Sequence, residues 1–147
     1  MSGRLNTAKQ IIKSHNKIER LNNCTLCENG RSIFVHMPTL NKKDPIDSLK
    51  REDQVTIFRL RTQHIPLNAH LSRIKKDHAP VCPLCDHPNE TVKHFLFECE
   101  PLNDLRKTLL PRSPDLENTL YADSTQLQQT SRYYTMANRR RMQVHMA

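Results

Sequence analysis

Within the eighteen residues CPLCDHPNETVKHFLFEC, positions 82–99, stand Cys82, Cys85 and Cys99, three of the chain's five cysteines, with His94 between them. Cys82-x2-Cys85 places two thiolates on one turn. His94 and Cys99 follow from a later segment, so the four side chains can close a tetrahedron around Zn²⁺. A Cys₃His set fills all four positions of the ion and leaves none open for a substrate, which makes the site structural and not catalytic. The plain alternative is three buried thiols and a surface histidine. Two close ligand couples at this separation favour the metal. His94 and Cys99 are five residues apart. On a straight helix of about 100° per residue they would face different ways, so Cys99 is expected where the helix unwinds, near Glu98–Pro101.

Upstream, Cys24-x2-Cys27-x8-His36 repeats the spacing of Cys82, Cys85 and His94, but Asn41 stands where a fourth ligand would fall. Three ligands seldom make a stable structural site, so two unmetallated thiols are the default there and a second metal the alternative.

The elements that must position these residues read as helices. Leu5, Ala8, Ile11, Ile12, His15, Ile18 and Leu21 recur at helical spacing, which predicts an amphipathic helix over 1–22. Residues 23–46 carry Asn, Gly30 and prolines and read as a connector, with a short strand at 33–35. A helix over about 50–62 is expected, with Ser48 as a candidate N-cap and Val55, Phe58 and Leu60–Thr62 turned inward. Pro66 restarts a second helix whose Leu67, His70, Leu71 and Ile74 are spaced for burial. Thr91 can cap a short helix through Phe97, and Leu102, Leu105 and Leu109 mark another. Residues 47–110 thus form a helical hairpin plus metal module. Residues 111–147 read as a loop and a last helix over about 125–142, whose basic end NRRR is expected to fray. The expected fold class is mainly α: a small helical domain stapled by one structural Zn²⁺, with flexible connectors and a tail.

Composition bounds the function. The chain has 147 residues, a hydrophobic share of 36%, no Trp and a net charge of +8. A modest core needs a staple, and a positive field attracts phosphates. No apolar run reaches the roughly 20 residues that span a bilayer, and the first residues lack the apolar region of a secretory signal. The expectation is an intracellular protein, cytoplasmic or nuclear, with no membrane partner and no small-molecule substrate. With only Gly3 and Gly30 there is no phosphate-cradling loop. No His-x-Glu precedes the cysteines as zinc deaminases require. A thioredoxin-like use of Cys82 and Cys85 would need a βαβ context. The string YADS at 121–124 has a single aspartate and no strands about it, so it is no polymerase metal site.

The stretches DSLKREDQVTIFRLRTQHIPLNAHLSRI and CPLCDHPNETVKHFLFECEPLNDLR resemble the C-terminal tail of non-LTR retrotransposon polyproteins, downstream of the reverse transcriptase and, where present, ribonuclease H domains. In that family an Arg-Leu-Arg-Thr-Gly-His segment precedes a Cys-Cys-His-Cys zinc element containing Glu-Thr-x-x-His. Here these are Arg59, Leu60, Arg61, Thr62, Gln63 and His64, then Cys82, Cys85, Glu90, Thr91, His94 and Cys99, with Gln63 replacing the family's glycine. The resemblance implies a non-catalytic module that binds template RNA or target DNA in support of a reverse transcriptase body. Arg59, Arg61, His64, Arg73, Lys75 and Lys76 are its candidate nucleic-acid contacts. The rival readings are a zinc-stapled protein-docking module, for which the low aromatic content leaves room, and a degenerate element remnant.

Overall fold

A computed structural model describes residues 2–26, 43–112 and 114–146, in two compact units, Met1–Lys42 and Lys43–Ala147. Among the described residues every regular element is helical. In the first unit, α1 (Ser2–Leu26) runs past the expected end at 22 and includes Cys24. Ile11, Ile12 and Ile18 are each about 60% exposed along it. The strand expected at 33–35, with Cys27 and His36, lies outside the described residues.

The second unit opens with a tight 3₁₀ turn, Pro45–Ser48, capped by Asp44, whose Oδ1 accepts the Ile46 N–H at 3.0 Å. Ser48 ends this turn, its hydroxyl donating to the Pro45 carbonyl at 2.8 Å, and so does not cap the next helix. That helix, α2 (Arg51–Thr62), begins after Lys50, which offers no side-chain cap. Glu52 and Asp53 in its first turn, and Arg59 and Arg61 in its last, suit the helix dipole instead.

The inward face of α2 is Ile57, Leu60 and Arg61, an i, i+3, i+4 stripe. Phe58 lies about 100° away from that stripe and is 56% exposed, so its expected burial is not observed. α2 stops at Gln63, whose φ of 60° is left-handed. The chain then buries Ile65 and Leu67 before α3 (Asn68–Ile74). Of the four positions expected to be buried there, Leu67 is; His70 and Leu71 are half-buried; and Ile74 is exposed, because α3 is only two turns long and ends on it.

After the metal segment come α4 (Asn103–Leu109), α5 (Leu116–Leu120) and the long α6 (Ser124–Met146). Asp123 caps α6 by accepting the Gln126 N–H at 2.9 Å. Leu127, Thr130, Ser131, Tyr133, Ala137 and Arg141 are buried along one face of α6, and the helix packs against α2, α4, α5 and the 3₁₀ turn. The region after 110 is therefore part of the core and not an appended tail. Arg141, expected in a frayed end, is 4% exposed.

Candidate metal centre

The loop after α3 folds into a tight knuckle. The Cys82 N–H donates to the His87 carbonyl at 2.8 Å, and the Asp86 N–H to the Cys82 carbonyl at 3.0 Å. Asp86 takes the left-handed conformation (φ 56°) that aspartate tolerates better than most residues. This turn presents Cys82 and Cys85 together.

Thr91 then starts the second half of the site, its hydroxyl accepting the His94 N–H at 3.1 Å as an N-cap. From His94 to Glu98 the backbone is a π-turn, closed by the Cys99 N–H donating to the His94 carbonyl at 2.8 Å. An i to i+5 bond widens the turn and brings residues five apart back over one another, which an α-turn would not do. The unwinding expected at Cys99 is thus a wound π-turn that aligns Cys99 with His94.

The four ligand atoms converge. Cys85 Sγ lies 3.3 Å from His94 Nε2, while Cys99 Sγ lies 3.9 Å from Cys82 Sγ and 3.8 Å from Cys85 Sγ. All four atoms are within 4.8 Å of one another. The sulfurs are far beyond the roughly 2.05 Å of a disulfide. They match the edges of a zinc tetrahedron, about 3.8 Å between sulfurs and about 3.6 Å from sulfur to nitrogen for ordinary Zn–S and Zn–N bonds. The residues present fit one Zn²⁺.

Burial pushes the Cys82 thiol up, and it pushes Cys99 up further with the charge of Cys82 added. Burial, then His87, lowers His94, which keeps its imidazole in the neutral, ligating form. Thiols held protonated by burial become thiolates when a dication supplies the compensating charge. The outer nitrogen of His94, Nδ1, is buried without a hydrogen bond, with Glu98 Oε2 3.9 Å away and the His87 ring stacked at 4.2 Å.

The frame around the ligands comes from residues whose part spacing alone does not reveal. The Leu96 carbonyl accepts from Arg106 Nε at 2.8 Å, the Cys99 carbonyl from Arg106 Nη2 at 2.8 Å, and the Phe95 carbonyl from the Tyr133 hydroxyl at 2.8 Å. Donors from α4 and α6 thus take up π-turn carbonyls that a regular helix would satisfy internally. Glu90 is fully buried. Its carboxylate accepts the Asn68 N–H at the start of α3 at 2.7 Å and meets the Arg141 guanidinium. Asn68 also donates to the Val81 carbonyl and pairs with His78, tying α3 to the cysteine loop. The Glu-Thr-x-x-His stretch was the one sequence signal for Glu90.

The candidate nucleic-acid contacts differ in exposure. Arg59, Arg73, Lys75 and Lys76 are exposed. His64 is exposed too, with Nδ1 2.9 Å from the Thr62 carbonyl and its ring edge-on to His70. Arg61 departs from expectation. It is 4% exposed, paired with both oxygens of Asp44, bonded to the Leu120 carbonyl at 2.7 Å and laid over the Tyr121 ring at 4.5 Å. A guanidinium so engaged joins α2 to α5 and does not face a phosphate. Tyr121, from the YADS string, is its platform.

No curated protein and no solved structure matches the chain. One family model does, described as zinc-binding in reverse transcriptase, over residues 49–105. That span contains all four ligand residues, Glu90 and the whole π-turn. Residues 49–105 are thus similar to a zinc-binding region of reverse transcriptases, and they carry a Cys₃His set that can hold one zinc ion.

Proposed function

We propose that residues 43–146 act as a non-catalytic, zinc-stapled nucleic-acid-binding module that helps a reverse transcriptase body engage template RNA or target DNA. The observation that carries this reading is the state of the basic side chains around α2 and α3. Arg59, Arg73, Lys75 and Lys76 are exposed, and among the described residues none is paired with a carboxylate. Net charge is a weaker support. Of the 23 Lys and Arg and 15 Asp and Glu, seven and two respectively fall in residues 1–42, so most of the positive excess precedes this unit. Placement of unpaired cations beside a metal-fixed segment, and not bulk charge, is what favours phosphate binding.

The test is a salt titration of binding to a labelled oligonucleotide. Arg73→Ala with Lys76→Ala should weaken binding to every sequence alike and reduce the log-affinity against log-salt slope by about 0.7 to 0.9 for each phosphate no longer neutralised. An unchanged slope with the protein folded and zinc present would refute the module's assignment. Docking onto a protein is the second reading. It is favoured by the exposed Ile11, Ile12 and Ile18 of α1, an apolar face of the kind that seats on a partner helix or groove.

A further inference from the structure

Alongside α2 runs a groove of about 750 Å³, within the size range of small-ligand sites. Its apolar wall is Phe58, with Ile46 and Val55 beside it, and Arg51, Arg59 and His64 stand at its margin. Among the described residues, no carboxylate lines it. Phe58 is 56% exposed, and the described residues show no partner for the Arg51 and Arg59 guanidinium groups. The His64 bond to the Thr62 carbonyl uses Nδ1 as donor, which leaves Nε2 for another group.

An exposed aromatic ring bordered by cations, with no negative charge, is complementary to a ligand that is flat and apolar on its faces and anionic at its edge. We propose that this groove takes one unpaired nucleotide of a single strand, its base stacked on Phe58 and its phosphate held by Arg51 or Arg59. The inference rests on the nucleic-acid reading above and adds to it a preference for unpaired over paired strands. Bases in a duplex are stacked on one another and cannot present a face to Phe58, whereas a single strand can. It also gives two of the sequence-derived candidates, Arg59 and His64, a common target.

The test measures affinity of the full chain, zinc-loaded, for a fluorescein-labelled 12-nucleotide single strand and for the same strand in a duplex. Phe58→Ala and Phe58→Tyr are compared with Lys75→Ala/Lys76→Ala. Phe58 is on the surface, and zinc content together with far-UV circular dichroism verifies the fold of each variant. Phe58→Ala should weaken single-strand binding about 5- to 150-fold, the span of a single base-on-aromatic stack, with duplex binding changed less than twofold. Phe58→Tyr should retain single-strand binding. Equal losses on both strands, or no loss on either, would overturn the stacking site. If the lysine variant still weakens binding in that case, the wider module reading stands. Displacement of the single strand by a polyglutamate peptide at equal charge concentration would also overturn it, marking the groove as a seat for an acidic protein. A parent chain that binds neither strand would end both.

Discussion

Glu90, in the metal-binding loop, and Arg141, near the end of α6, form a two-armed ion pair in which both side chains are almost wholly buried, Arg141 Nη2 lying 2.8 Å from Glu90 Oε2. The family match ends at residue 105, so the zinc region borrows from outside itself the cation that neutralises its buried carboxylate. The same carboxylate sits at the first turn of α3, where it also takes up a free backbone N–H. Loop, α3 and α6 are thereby tied at one point.

Removing one partner of such a pair strands a charge in the interior. Arg141→Ala or Glu90→Gln should each cost about 3–5 kcal/mol of stability in urea unfolding, while a Glu90→Leu/Arg141→Met double substitution should cost less than either. A chain truncated after 110 should fail to give a cooperative transition even with zinc present.

Gln63 occupies the left-handed position that ends α2, where the resembling family carries glycine. A side chain with a Cβ is strained there by about 1–2 kcal/mol, and part of the gain on its removal is offset by the freer unfolded chain. Gln63→Gly should therefore raise stability by about 0.5–1 kcal/mol, and Gln63→Val, which is β-branched, should lower it. Thermal melts of the two variants check the sign.

The π-turn depends on donors from other helices. Tyr133→Phe removes the hydroxyl that satisfies the Phe95 carbonyl, at a buried site, and should cost about 1–3 kcal/mol. Arg106→Ala frees the carbonyls of Leu96 and Cys99 together. It should weaken zinc affinity as well as stability, since Cys99 is one of the four candidate ligands, and a chelator-competition assay reads that effect separately.

Zinc binding should release protons. Burial raises Cys82 and Cys99, so the metal-free thiols are protonated at neutral pH in the folded state, as they also are in an unfolded chain. His94 is lowered and has no proton to lose there. Affinity should then rise with pH between about 6.5 and 8, with a slope of at least about two in log affinity per pH unit from Cys82 and Cys99, and fall more steeply at lower pH where His94 also protonates. A slope near zero would contradict thiolate ligation by Cys82 and Cys99.

The metal centre was legible because ligand chemistry depends on residue type and spacing, and Cys82, Cys85, His94 and Cys99 carry both in sequence. Helix content was legible for the same reason, through periodicity. Which face of a helix turns inward was not. Ile57 is core and Phe58 surface, and an apolar count gives both the same weight until α6 is known to pack against α2. The basic residues were the hardest to assign, since Arg59, Arg61 and Arg141 are chemically alike in a string. Burial beside Asp44 or Glu90, a matter of long-range packing, separates Arg61 and Arg141, which hold the fold, from Arg59, which faces solvent.

Cys82, Cys85, His94 and Cys99 are expected to hold one zinc ion. The most direct measurement is elemental analysis of the purified chain beside its Cys82→Ser, Cys99→Ser and Cys24→Ser variants. One zinc per chain is expected in the parent and in Cys24→Ser, with loss of the metal and of cooperative unfolding in the other two. A parent stoichiometry near zero or near two, or full retention of zinc in Cys99→Ser, would contradict it.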